Sequence, residues 1–349
     1  MKYKKFLIIF SAFCLLLFIS IVCFNYFYDP FTIFGKLEYE NIKNKTIFTN
    51  ERYAKMKHIL ANKDKYDSFL FGSCSCYLMN LQNIPNGSWY TMTYADNTLY
   101  DVRRVLDFMI LSGIKPKQII VQISDANLKD FIDGPFIRCK QILNYCPYPI
   151  SKKEKIRFYG LYLLSLPFYN YDFWDKWATI TKINLFKDGS WVESLPIYPS
   201  QSKKTKLDTF ENIEYITDEY QKIHLLELQK IVDICNKNDI LFELFFIPEY
   251  VDVYNLIDLN KFNNIKKEIV NNITPFYDFT GVNKVTTNKF SFTDPFHVNE
   301  WTSKLIVDRL FFENKNDEPS IKGFGVYVTQ KNIDKHIQNL ENEIKAYNK

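Results

Sequence analysis

Two short stretches carry side chains able to do covalent chemistry. The first is Phe71-Gly72-Ser73-Cys74-Ser75-Cys76, directly after an apolar run that reads as a strand. Glycine there permits a sharp strand-to-helix turn, and a side chain on such a turn is lifted to the carboxyl end of the sheet, where open α/β folds bind ligands. A thiol or hydroxyl in that place is a candidate nucleophile, although a Gly-Ser turn beside cysteines is also how an ordinary strand ends. The second stretch is Asp294-Pro295-Phe296-His297. An Asp three residues before a His can lie on the same face and orient the imidazole as a general base. Asp followed by Pro is equally the signature of a helix start, with Asp as N-cap and Pro at the first helical position. The two readings are compatible.

The chain has 4 His residues, which narrows the choice of base. His58 lies in a Lys-rich helical stretch before the first strand, His224 on the helix before Ile240, and His336 in the polar C-terminal tail. All three are expected to be solvated or packing residues, and none has a carboxylate spaced like Asp294. No Cys and His spacing fits a zinc site, so neither a metal nor another cofactor is expected. Cys74 and Cys76 form C-x-C, not the C-x-x-C of redox motifs, which counts against a thiol–disulfide role.

The scaffold that would position these groups is legible as alternating strands and helices. Tyr66 to Phe71 reads as the first strand and Gln118 to Ile123 as another, with a helix from Leu99 to Leu111 between them. An amphipathic helix from Asp218 to Asn236 precedes a buried strand, Ile240 to Ile247, which Pro248 stops. A short strand at Phe276 to Phe279 and a helix from Pro295 to about Phe312 follow. The order predicts an α/β fold with a doubly wound, mostly parallel sheet. Residues 130–215 break the rhythm, being rich in Tyr, Trp, Phe and Pro, and read as an insertion or lid. Beyond Asn314 the chain reads as a polar tail with a terminal helix from Asn332 to Ala346.

Phe6 to Phe24 is an apolar run interrupted only by Ser11 and Ser20, long enough to span a bilayer. A cleaved signal peptide is the competing reading. However, Asn25-Tyr26-Phe27-Tyr28-Asp29-Pro30 offers no small-x-small cleavage site, and Ser20-Ile21-Val22-Cys23 is a poor lipoprotein box. Lys2, Lys4 and Lys5 precede the run, so a single-pass anchor with its N-terminus in the cytoplasm and its body outside is expected. The expected organisation is therefore an anchor over 1–28, a juxtamembrane segment over 29–64, an α/β domain over 65–313 and the tail. A net charge of +4, interspersed rather than gathered into a stripe, points away from nucleic acid. With 7 Cys, two of them in the anchor, the chain is not a disulfide scaffold. Cys139 and Cys146 are available to pair in an oxidising compartment.

Together, the Gly-Ser-Cys turn, the late Asp-x-x-His and the anchor resemble the SGNH (GDSL-like) hydrolase superfamily, and more narrowly its membrane-anchored, DltD-like and alginate-O-acetylation-like branch. Further local similarity lies in Asp29-Pro30-Phe31-Thr32-Ile33-Phe34, Tyr277-Asp278-Phe279-Thr280 and Phe324-Gly325-Val326-Tyr327-Val328-Thr329. The resemblance implies an SGNH-like, flavodoxin-like sheet and an esterase or O-acyltransferase held in the bacterial cytoplasmic membrane. It implies a cell-surface glycan or acyl-carrier substrate and a membrane-bound O-acyltransferase as partner. By position, Cys74 takes the nucleophile place normally held by Ser, with Ser73 and Ser75 as alternatives; His297 is the general base and Asp294 its orienting partner. Gly72, Asn97 and Asn127 correspond to the oxyanion positions. Cys for Ser is a departure, though a thiol at a helix N-terminus beside a His is readily converted to the nucleophilic thiolate. Asp96, near the place of an oxyanion glycine, is a second departure. A catalytically silent module that binds a glycan or holds a partner is the alternative, to which the rings around Phe168 to Trp177 would suit sugar stacking.

Overall fold

The computed structural model describes residues 2–29, 33–34, 51–94, 97–125, 128, 152–164, 182–185, 191–194 and 218–349. The strands among them are β1 (Ser68–Gly72), β2 (Trp89–Thr93), β3 (Gln118–Ile123), β4 (Lys182–Leu185), β5 (Trp191–Ser194), β6 (Leu241–Phe246), β7 (Phe276–Asp278), β8 (Phe292–Asp294), β9 (His297–Val298) and β10 (Val326–Val328). The chain forms two compact units, one of residues 1–61 with 135–194 and one of residues 62–134 with 195–349.

The second unit is α/β. Its sheet has 6 strands in the order β10-β7-β6-β3-β1-β2. β2, β1, β3, β6 and β7 are parallel, and β10 closes the edge antiparallel to β7. Every residue of β1 is buried, as are five of the six in β3. That pattern of near-continuous burial belongs to a parallel sheet covered on both faces. The helix Leu99–Leu111 buries Leu99, Val102, Val105, Leu106 and Met109 on one face. Thr98 starts it with a capping box closed by Asp101, which satisfies two of the N–H groups a helix leaves open at its first turn.

Two expectations need correction. The terminal helix expected over Asn332 to Ala346 is present as Ile333–Tyr347, but the polar tail is part of the fold: Val326 to Val328 pair with Phe276 to Asp278, and the helix buries Ile333, His336, Ile337, Leu340 and Ile344. The two aromatic motifs meet at this edge. Gly325, at φ 80°, donates its N–H to the Asp278 carbonyl at 2.9 Å. A Cβ there would lie 2.6 Å from both Arg309 Cγ and Phe279 Cε1, so only glycine fits. Second, the helix expected to begin at Pro295 runs Glu300–Phe311 instead. Asn299 is its N-cap, accepting from Thr302 N at 2.8 Å, while Asp294 spends its carboxylate on a turn between β8 and β9.

Under the β7 edge lies a buried charge cluster. Lys266 and Asp278, both with fully buried side chains, pair at 2.8 Å, and His336 Nε2 meets the same carboxylate at 2.8 Å. Lys266 Nζ also donates to Thr280 Oγ1 at 2.6 Å. Burial alone would raise the Asp278 carboxyl, but the Lys266 charge and the His336 contact hold it well below the usual carboxylate range.

In the first unit the helix Lys2–Phe27 is long and apolar enough to cross a membrane. Asp29, at φ 48°, turns the chain after it and accepts from the N–H groups of Ile33 and Phe34 at 2.8 and 3.0 Å. The helices Glu51–Ala61 and Lys152–Leu164 and the antiparallel pair β4–β5 complete what is described of this unit. Phe168 to Trp177, Cys139 and Cys146 lie outside the described residues.

Candidate active site

The chain leaves β1 for β2 on one side and then crosses to β3 on the other, so the carboxyl end of β1 lies where the strand order reverses. Open α/β sheets form their ligand crevice at such a point. Gly72 ends β1 there, and a Cβ on it would stand 3.0 Å from Gln122 Oε1 and 3.1 Å from Cys76 Sγ. The turn that follows is pinned from two strands. Gln122 on β3 accepts from Ser73 N at 2.7 Å and from Ser73 Oγ at 3.1 Å. The Gly72 carbonyl accepts from Tyr94 N and from Asn97 Nδ2, each at 3.1 Å.

Ser73 also caps the short 3-10 turn Cys74–Cys76 by accepting from Ser75 N. This turn sends the two thiols in different directions. Cys76 is fully buried beneath Gly72, and burial pushes its thiol well up, so it is unsuited to act as a thiolate. Cys74 is half-buried. Its backbone N–H makes no hydrogen bond among the described residues.

The opposing wall is the β8–β9 hairpin. Asp294 Oδ1 accepts from the backbone N–H groups of Phe296 and His297 at 2.9 and 3.0 Å, which fixes the turn and the carboxylate together. Thr293 Oγ1 donates to the His297 carbonyl at 3.1 Å, and Tyr250 N donates to the Pro295 carbonyl at 3.0 Å. So held, His297 presents Nδ1 to Asp294 at 2.7 Å and Nε2 to Cys74 Sγ at 3.1 Å. Burial by itself lowers the proton affinity of His297, but the hydrogen bonds to Asp294 and Cys74 and their negative charges outweigh it, carrying the imidazole up to about 10. Asp294 is correspondingly held below the usual carboxylate range, its burial being outweighed by His297 and the two turn N–H groups.

Of the residues singled out by sequence, Cys74, His297 and Asp294 are thus brought into one chain of contacts. Ser73 is buried and engaged with Gln122, and no hydrogen bond joins the hydroxyl of Ser73 or Ser75 to His297. Gly72 shapes the turn. Asn97 is buried and uses an amide N–H to hold the Gly72 carbonyl. Asn127 and Asp96 lie outside the described residues. His58 is half-buried and His224 buried, whereas His336 is not solvated but paired with Asp278. No group of three or more His, Cys, Asp or Glu side chains suited to a metal occurs among the described residues.

Gln122 and Tyr250 are neighbours of the site that sequence reasoning missed. Gln122 occupies the fifth position of an apolar strand, where a buried polar residue needs a partner; that is the one local signal of its role. No protein-family model matches the chain, and no curated protein matches it.

Proposed function

We propose that this chain is a membrane-anchored acyl hydrolase or acyltransferase of SGNH type, with Cys74 as nucleophile. The observation that carries the reading is the contact chain Cys74 Sγ to His297 Nε2 at 3.1 Å and His297 Nδ1 to Asp294 at 2.7 Å. Its placement at the end of β1, on a sheet ordered as in flavodoxin-like doubly wound folds, supports the SGNH assignment.

The chemistry follows from the charges. His297, holding a proton and supported by Asp294, donates Nε2–H toward Sγ and favours sulfur as thiolate. The thiolate adds to an acyl ester carbonyl, and the free Cys74 N–H is a backbone donor for the resulting oxyanion. Collapse breaks the ester bond, and the departing alkoxide takes the Nε2 proton, leaving a thioester on Cys74 and neutral His297. A sugar hydroxyl or water then returns a proton to Nε2 as its oxygen attacks the thioester, and the thiolate is expelled. Asp294 stays ionised throughout. His297 therefore begins as proton donor and acts as base only in the second half-reaction. With the apolar N-terminal helix as an anchor and the body extracytoplasmic, the acceptor is an envelope glycan supplied with acyl groups by a membrane-bound O-acyltransferase.

Intact-mass measurement of the purified full chain after treatment with an activated short-chain acyl ester tests this. One acyl adduct on wild type is expected, mapping to Cys74, absent from Cys74→Ala and slowed in His297→Ala. An adduct that persists in Cys74→Ala would refute the nucleophile assignment. One observation favours a silent binding module instead: the Asn97 amide and the Ser73 N–H are engaged in holding the turn. That reading predicts no adduct, and glycan or partner binding that survives replacement of Cys74 and His297 together.

A further inference from the structure

We infer that the helix Lys152–Leu164 is a second membrane-contacting element, seated in the lipid interface beside the exit of the N-terminal helix. The inference rests on the reading of Lys2–Phe27 as a membrane-spanning anchor. The two helices pack against each other, and the fully buried Asn25 donates Nδ2–H to the Leu163 carbonyl at 2.8 Å. Asn25 stands two residues before the last residue of the anchor helix, so the carboxyl end of Lys152–Leu164 lies at the level where the anchor leaves the bilayer. A hydrogen bond to a terminal carbonyl matters most there, because the last carbonyls of a helix have no partner within it.

Chain beyond the anchor fixes the helix from the other side. Phe158 and Tyr162 are buried against Ile33, with Phe34, Tyr53 and Tyr159 around them, and the Tyr53 and Tyr159 hydroxyls meet at 2.8 Å. These contacts take up one face. The face turned away leaves Ile156, Leu161 and Leu164 exposed at 74, 37 and 51%. Leu161 and Leu164 are one turn apart at the carboxyl end, the end bonded to the anchor. Lys152, Lys153, Lys155 and Arg157 are exposed in the amino-terminal half. Apart from Ile156, the exposed side chains therefore grade from basic to apolar toward the anchor, which matches the grading of a leaflet from anionic phosphates to acyl chains. Continuity with the lipid-facing anchor and this charge complementarity both select one occupant, the anionic lipid leaflet on the exit side.

The full chain would be reconstituted into vesicles of phosphatidylcholine and phosphatidylglycerol doped with a photoactivatable phospholipid, and adducts mapped by mass spectrometry. A diazirine in the acyl chain is expected to label 161–164 as well as 6–24, and one in the headgroup to label 152–157. The helix Asp218–Lys237 serves as the unlabelled control. The paired substitution Leu161→Asp and Leu164→Asp should abolish acyl-chain labelling of this helix while leaving that of 6–24 in place. Adducts confined to 6–24 in the wild type would overturn the inference alone. Their absence from both segments would overturn the anchor reading.

Discussion

Replacing Asp294 by Asn isolates what the carboxylate does for the proton on His297. Asparagine keeps an oxygen acceptor for the Phe296 and His297 N–H groups, so the turn should survive. The negative charge beside Nδ1 is lost. In the native site, burial opposes the imidazolium, yet Asp294 and Cys74 raise His297 from 6.5 to about 10. At about 1.4 kcal/mol per tenfold, that is roughly 5 kcal/mol in favour of the protonated ring. Asp294 supplies one of the two hydrogen bonds and one of the two charges that raise the ring, so the Asp294→Asn substitution should remove on the order of 2 to 3 kcal/mol, or about thirtyfold to 150-fold. The side chain of His297 is 19% exposed, so solvent screening takes little from this figure. The assay is the rate of Cys74 alkylation by iodoacetamide, followed by mass spectrometry of the peptide that contains Cys74, which requires no knowledge of the substrate. D294N should react more slowly at neutral pH by about that factor. The sign is fixed by linkage. A group raised on folding contributes stability that is fully present below its unfolded value, about 6.5, and is lost as pH rises through about 10. In urea unfolding, the stability difference between the two proteins should therefore be present at neutral pH and be lost as pH rises through about 10. Equal rates would refute the ion-pair reasoning.

Other perturbations bear on the scaffold. Asp278→Asn leaves the fully buried Lys266 without its anion and should cost about 3 to 5 kcal/mol in urea unfolding. Because Asp278 is depressed on folding, its contribution should be present above about pH 4 and fade as pH falls below it, visible as acid loss in the wild type that D278N lacks. Gln122→Leu removes the acceptor of the buried Ser73 N–H and should destabilise by about 1 to 3 kcal/mol while slowing Cys74 acylation, with both readouts taken on one preparation. Gly325→Ala forces a side chain into a positive-φ position against Arg309 and Phe279, and thermal unfolding should fall by the equivalent of at least about 1 to 3 kcal/mol.

The elements with strong periodicity are legible in the sequence. Gln118–Ile123 and Leu99–Leu111 have the bounds that their patterns suggest, and the strand before Gly72 differs only at its ends. What stays hidden depends on partners distant in sequence. β10 is only three residues, Val326-Tyr327-Val328, of strong β propensity, but no local pattern encodes its pairing with β7. His336 sits among polar residues, and only the folded edge puts Asp278 beside it. Asp294-Pro295 reads as a helix start because capping chemistry uses the same residue types as a tight turn. Asn299, four residues beyond Pro295, is the cap that the helix uses. The spacing of Asp294 and His297 is informative even so, since a turn brings them together as closely as a helix face would.

His297 stands 223 residues after Cys74, and the hairpin that carries it is held by the loop following β6. Synthesis runs from the N-terminus, so Cys74 exists for most of the making of the chain without its imidazole. During that interval it is an ordinary thiol. Contacts this far apart close late in folding, because the loop entropy must be met before they form. The reactive pair is thus a report of completed folding, and a chain truncated before the β8–β9 hairpin should carry Cys74 as a silent residue.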